Sequence, residues 1–194
     1  MLGIINIMKK KQQPDLHIDE SPQMRFAKNH VHFLHGEINE ENMSKAYEWL
    51  IHENLDPEVK TLTLYINSTG GNLYEAFGFI DLMKISHHTI QTVGIGNVMS
   101  SGFLIFISGT RGHRFIGKHS SILCHQHSNE LDGKYHDIKS HIKENQNCFD
   151  RMMNVIEKNS RLEPNDIADK LLSPTDNWLT SDEVIIYGLA DEIL

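Results

Sequence analysis

Gly94-Ile95-Gly96-Asn97-Val98-Met99-Ser100-Ser101-Gly102 runs directly into Phe103-Leu104-Ile105-Phe106-Ile107. Ahead of it, Thr89 to Val93 reads as a short strand. The segment therefore predicts a strand, a tight glycine turn and then a helix that is apolar all round, hence buried. A turn of that kind delivers Ser100 to the first turn of a helix, where backbone N–H groups have no intrahelical acceptor and the dipole favours negative charge. An acyl-transfer enzyme needs a nucleophile and an oxyanion hole in such a place. A serine that merely caps a core helix would look the same, and on this segment alone that plainer reading is favoured. The pattern is not the G-x-S-x-G elbow of the α/β-hydrolases, because Val98 stands where the first glycine should be.

Working outward toward the amino terminus, Leu62, Leu64 and Ile66 alternate with Thr61, Thr63 and Tyr65, which predicts a strand. Asn67-Ser68-Thr69-Gly70-Gly71-Asn72 reads as a turn into an amphipathic helix whose buried stripe is Leu73, Ala76, Phe77 and Ile80. Earlier still, Val31 to Leu34 is a short strand, and Asn39 caps a helix carrying Met43, Ala46, Tyr47 and Leu50. Residues 1–25 lack periodicity and read as a flexible arm or a removable leader; their apolar-then-basic order is the reverse of a secretory signal. Toward the carboxyl terminus, Arg114 to Ile116 and Ser121 to Cys124 read as two further strands. The repeated strand–helix–strand order predicts an α/β fold with a largely parallel sheet.

A different unit follows. Ile138, Ile142, Asn145, Phe149, Met152 and Ile156 are spaced four, three, four, three, four, which predicts one long helix from about Gly133 to Asn159 with a narrow apolar seam. Such a seam either projects to meet another subunit or lies across its own sheet. Pro164 opens a short helix with Ile167 and Leu171, and Thr180 to Glu183 fits a capping box. No internal linker marks a second domain, so residues 26–194 are expected to form a single domain, with the long helix in a distinct region at about 127–160.

The sequence has 194 residues, enough to bury a substantial core. A formal net charge of −8 argues against nucleic acid or an anionic membrane as the main partner. No stretch approaches a membrane span. The two cysteines, Cys124 and Cys148, suggest no disulfide framework, so a reducing, cytoplasmic compartment is expected. There is no G-x-G-x-x-G, no G-K-[ST] after Gly71, no H-E-x-x-H and no C-x-x-C, so no metal or cofactor is expected. Most of the 13 histidines are read as scattered surface residues, and His87-His88 as a solvated turn. His125 differs, because it ends the apolar strand Ile122-Leu123-Cys124, where a general base could reach a serine or simply be a satisfied edge histidine. Asp176, between Pro174 and Trp178, could orient an imidazole or form an Asx turn.

Segments in a fixed order then carry a resemblance. Leu64-Tyr65-Ile66-Asn67-Ser68-Thr69-Gly70-Gly71 resembles L-Y-I-N-S-P-G-G of the ClpP family, the proteolytic subunits of Clp proteases. Gly96 to Gly102 resembles its G-x-A-A-S-M-G nucleophile turn, and Cys124-His125-Gln126 its I-H-Q. Gly133 with Asp137-Ile138 resembles the G-x-x-x-D-I opening of its handle helix. Asp176 to Ser181 and Tyr187-Gly188-Leu189-Ala190-Asp191 resemble D-R-D-x-F-x-S-A and Y-G-L-[IV]-D.

The resemblance covers residue 30 or so to the end. It implies a crotonase-like spiral of βαβ units with a protruding handle helix. It also implies Ser100 as nucleophile, His125 as general base and Asp176 as orienting carboxylate, with the backbone N–H groups of Gly71 and Ser101 as oxyanion donors. Activity on unfolded proteins inside two stacked seven-membered rings is implied, fed by an AAA+ unfoldase, with Ile138, Ile142, Phe149 and Met152 at the ring–ring contact. Thr69 and His127 replace prolines of the family, Val98, Met99 and Ser101 depart from its nucleophile turn, and Asn177 replaces an arginine of the ring contact. The amino-terminal arm does not match the family's axial loop. Such departures suit a divergent, phage-borne or accessory copy, so a processing protease on the same fold and a non-catalytic ring subunit stand as alternatives.

Overall fold

A computed structural model describes residues 21–128 and 132–194. Most of the expected arm, residues 1–20, lies outside the described residues. Its last part does not stay irregular: Pro22–Lys28 forms a helix, α1, opened by proline and capped by Ser21, whose Oγ accepts from Met24 N–H.

The chain then alternates strands and helices: β1 (Val31–Ile38), α2 (Glu40–Glu53), β2 (Thr61–Gly71), α3 (Leu73–Ile85), β3 (Thr89–Met99) and α4 (Ser101–Ile107). Asn39 and Asn72 cap α2 and α3 by accepting first-turn N–H groups. After α4 come β4 (Arg114–Ile116), β5 (Ser121–Cys124), α5 (Tyr135–Asn159), α6 (Pro164–Lys170), β6 (Asn177–Leu179), α7 (Ser181–Ile186) and β7 (Glu192–Ile193). β1, β2, β3, β4 and β7 lie side by side in that order and pair in parallel; β6 pairs antiparallel with β5. The expected α/β fold with a mostly parallel sheet is therefore present.

The tight glycine turn expected at residues 94–99 is absent. β3 continues through these residues to Met99, and the reversal falls on Ser100 alone. The physical reason is a fork in the sheet. Thr92, Val93 and Gly94 pair with β4, whereas Asn97, Val98 and Met99 pair with β5. Between the two halves the register against β2 jumps from Ile66↔Gly94 to Ser68↔Val98. Gly96, at φ +64°, takes up the extra residues, and Asn67 Oδ1 accepts from Asn97 N–H at 3.0 Å to close the bend. The turn expected over residues 67–72 is corrected in the same way, because β2 stays paired with β1 as far as Gly71.

α4 explains the unbroken apolar run. All of its residues, Ser101 to Ile107, are buried, so no face needed to be polar. Phe79 and Ile80 of α3 and Leu62, Leu64 and Ile66 of β2 belong to the same core. α5 is the long helix expected. Its carboxyl-terminal half is buried through Cys148, Met152, Val155 and Ile156, whereas Ile142 is 55% exposed. No helix of the described residues is long and apolar enough to cross a membrane.

The surface reading of the histidines needs two corrections. His88 is buried, its Nδ1 2.7 Å from Val59 O and its Nε2 3.0 Å from Glu53 O, because the bend before β3 that carries it packs against the end of α2 and the segment before β2. His32 stacks on Trp49, and its burial lowers its pKa to about 4.

The far end of the sheet is clasped by one buried charge. Arg114 is 2% exposed and donates to Asp191 through Nε (3.0 Å) and Nη2 (2.8 Å). The same guanidinium donates to the carbonyls of Gly188 and Asn159 at 2.9 and 2.7 Å, tying β4 to the ends of α7 and α5. Burial pushes the Asp191 carboxyl up, but the bonds from Arg114 and the Gly112 N–H outweigh it and hold the group below its ordinary value. Asp191 reaches solvent and keeps its bonds from the Gly112 and Arg114 N–H groups when the guanidinium is removed, but the carbonyls of Gly188 and Asn159 lose their donor. Arg114→Met should therefore lower unfolding free energy by about 1–3 kcal/mol. Denaturant titration at fixed protein concentration measures it, and a loss under ~1 kcal/mol would show that the clasp is dispensable.

Candidate active site

Ser100 sits where β3 ends and α4 begins, at φ 53° and ψ −124°. Among the described residues only His30 shares a positive φ without being glycine. That backbone costs about 1–3 kcal/mol and persists only when its surroundings enforce it. Two contacts do so here. Ser100 N–H donates to Leu123 O of β5 at 2.9 Å, and Leu104 N–H donates to Ser100 O at 3.2 Å as the first bond of α4. The N–H of Ser101 thus precedes the helical ladder. The Ser100 side chain makes no capping bond, so the helix-cap reading of this serine is not what the structure displays.

β2 meets this turn end-on. A Cβ placed on Gly70, at φ +91°, would lie 2.6 Å from Ser100 Cβ, 2.9 Å from Met99 O and 3.1 Å from Ser101 N. On Gly71, at φ +147°, it would lie 2.3 Å from Ile38 O. The glycine pair is therefore required both by backbone conformation and by close approach. Ser68 Oγ accepts from Gly70 N–H at 3.1 Å and steadies the strand end.

A cavity of about 290 Å³ opens beside the turn, and Gly71, Ser100 and His125 all line it. The fork delivers His125, the residue after β5, to the same edge as Ser100, the residue after β3. Asp176 does not line this cavity and is exposed. It directly precedes β6, whose antiparallel register with β5 ends at Cys124↔Asn177, so the next step of the ladder sets Asp176 opposite His125. No hydrogen bond joins the side chains of Ser100, His125 and Asp176 among the described residues. The backbone around them is nevertheless anchored. Gln126 Nε2 donates to Leu172 O at 2.6 Å, and Asn177 Nδ2 donates to Leu171 O at 3.1 Å and Thr175 O at 2.9 Å.

Sequence reasoning missed part of the cavity wall. Asn72, Leu73 and Tyr74 from the start of α3 line it, as do His127, Ser128 and Cys148. The signal for the first three was their position directly after Gly70-Gly71; for Cys148 it was the one-turn spacing to Met152. Met152 itself is a correction. It is 3% exposed and lines the cavity, so it is covered within its own subunit and is not part of an outward-facing seam. Ile138 and Phe149 are half-buried, and Ile142 is exposed.

The family model described as Clp protease matches residues 17–194, and the chain belongs to that family. The assignment makes it a ClpP-like peptidase, within a family of serine peptidases that are generally oligomeric and work with Clp ATPases.

The close approach of β2 to the turn is directly testable. Gly112 has φ +85° with nothing within 4 Å of its would-be Cβ, so Gly112→Ala isolates the backbone strain, about 1 kcal/mol. Gly70→Ala adds a clash with backbone atoms and should cost at least ~2 kcal/mol more. Equal losses in paired denaturant titrations would mean that β2 and the Ser100 turn are not in the contact described.

Proposed function

We propose that the chain is a serine endopeptidase in which Ser100 attacks the peptide carbonyl, His125 takes and returns the proton, and Asp176 orients the imidazole. The observation that carries this reading is the convergence of a strained, uncapped Ser100, His125 and Gly71 on one cavity. In the reaction the hydroxyl oxygen of Ser100 bonds to the carbonyl carbon while its proton passes to His125. The oxygen of the tetrahedral intermediate is held by the N–H groups of Gly71 and Ser101. His125 then protonates the leaving amine, and water repeats the sequence to release the acid. Two unpaired cysteines suit a reducing, cytoplasmic setting.

The same reading extends to assembly. The outer part of α5 presents Ile142 to solvent beside half-buried Ile138 and Phe149, and a second copy of that helix would cover them. Family membership supports stacked rings that enclose the active sites, with unfolded chains delivered by a Clp-type AAA+ unfoldase. The side chain of Asn177 is spent inside its own loop, bonding to Ser173, Leu171 and Thr175. Where the family uses an arginine for ring contact, the contact here therefore depends on packing rather than charge. The absence of hydrogen bonds among Ser100, His125 and Asp176 suits a triad that closes on assembly; a non-catalytic ring subunit would share that feature.

One paired experiment separates these. Ser100→Ala should lower hydrolysis of short fluorogenic peptides by about 10³-fold or more while assembly mass stays constant. Ile142→Glu should split the assembly in analytical ultracentrifugation and lower activity with it, although residue 142 is outside the triad. An inactive wild-type assembly would support the scaffold reading. Full activity and unchanged mass in Ile142→Glu would contradict the handle contact.

A further inference from the structure

The β5–β6 ladder ends one step short of the proposed triad. Its last pair is Cys124↔Asn177, so His125 and Asp176 lie just beyond the strand pairing that fixes their neighbours. The carboxyl end of α6 takes over at that point. The carbonyls of Leu171 and Leu172 follow the last turn of this helix, and no further turn supplies them with a donor. Both residues are buried, so those carbonyls depend on donors from elsewhere in the chain.

Two side-chain amides supply them. Asn177, the residue after Asp176, donates to Leu171 O at 3.1 Å. Gln126, the residue after His125, donates to Leu172 O at 2.6 Å. The neighbours of the general base and of the orienting carboxylate are therefore tied to consecutive carbonyls of one helix end. That end is a fixed point: the N–H groups of Leu171 and Leu172 both donate to Ile167 O, at 3.0 and 2.9 Å, and all three residues belong to the core. The two tethers differ in reach. Asn177 bonds six residues back, within its own loop, where Ser173 Oγ also donates to its Oδ1 at 2.9 Å. Gln126 reaches across 46 residues and is the tether that refers the His125 segment to that loop. Its side chain is exposed, so its contribution lies in the amide bond and not in packing.

We propose that Gln126 is a positioning residue, setting the separation and facing of His125 and Asp176 through the carboxyl end of α6. The proposal rests on the peptidase reading of Ser100 and adds to it a residue outside the triad. A bond of this kind matters to rate through geometry, because a displacement of about 1 Å in a reacting group can cost about 10²-fold.

The test uses the assembled full-length protein. Gln126→Met keeps the length of the side chain and removes its N–H donor. For a short fluorogenic peptide, kcat should fall about tenfold or more with KM within about twofold of wild type, since orientation is lost and binding is not. The rate of fluorophosphonate labelling at Ser100 should fall by the same factor while the sedimentation mass stays constant. Gln126→Asn keeps the amide but is one methylene too short, and should show the same split. The Gln126→Met change is then repeated in Asp176→Ala. With no carboxylate left to align, it should alter the labelling rate by less than about twofold, a coupling that separates positioning from general support of the fold. Wild-type kcat in Gln126→Met would overturn the proposal and leave the peptidase intact. Equal losses with and without Asp176 would also overturn it, because Gln126 would then not act through the His125–Asp176 pair. A wild type that neither cleaves peptide nor takes label at Ser100 would remove the peptidase reading, and this role with it.

Discussion

Two strand ends meet at this site with no side chain between them. Gly70 brings β2 within van der Waals reach of the Ser100 backbone, and any Cβ there would overlap Ser100 Cβ. Once β2 occupies that space, the chain leaving β3 must turn at a single residue, and Ser100 takes the left-handed backbone that this requires. The turn is held from the other side by Leu123 O of β5. Ser100 is thus fixed between two neighbouring strands before any side chain is considered, which is how a small residue is presented rigidly at the mouth of a cavity.

That meeting depends on the fork in β3. A single straight strand could not pair with β4 near its start and β5 near its end. The bend at Gly96, closed by Asn67, lets it do both. β5 then carries His125 to the turn, and β6, pairing antiparallel with β5, carries Asp176 to the same end of the ladder. On the opposite flank the Arg114–Asp191 clasp holds β4 and the chain terminus in place. Only the Arg114 side of the pair is fully buried, because Asp191 reaches solvent, and such a pair is by itself weak evidence for stability. Here the guanidinium also satisfies carbonyls at the ends of α5 and α7, elements that the site and the proposed assembly both need.

Much of this was legible in the sequence where the signal is local. The β4 and β5 segments, the caps at Asn39 and Thr180, and the span of α5 follow from alternation, capping residues and helical spacing. The all-apolar run after Ser100 correctly announced a helix with no exposed face. The misreadings share a non-local cause. Gly70, Gly71, Gly94 and Gly96 read as turns because glycine usually marks them, whereas pairing on both sides keeps them in strands. His88 read as solvated because the carbonyls that bury it belong to residues 53 and 59. The roles of Ser100, His125 and Asp176 came from motif resemblance, since triad partners are gathered by the fold and not by sequence distance. Met152 was placed on the seam by its spacing, but a helix with one end on the body and one end free divides its stripe between core and solvent.

The central claim is that the strained serine at the β3–α4 junction is the nucleophile. A fluorophosphonate probe reports it directly, because it traps only an activated serine and its site can be mapped by mass spectrometry. The assembled wild-type protein should carry one label per chain on the peptide containing Ser100. The label should vanish in Ser100→Ala and persist in Ser101→Ala. A label on any other residue, or none on an assembled and folded protein, would contradict the account.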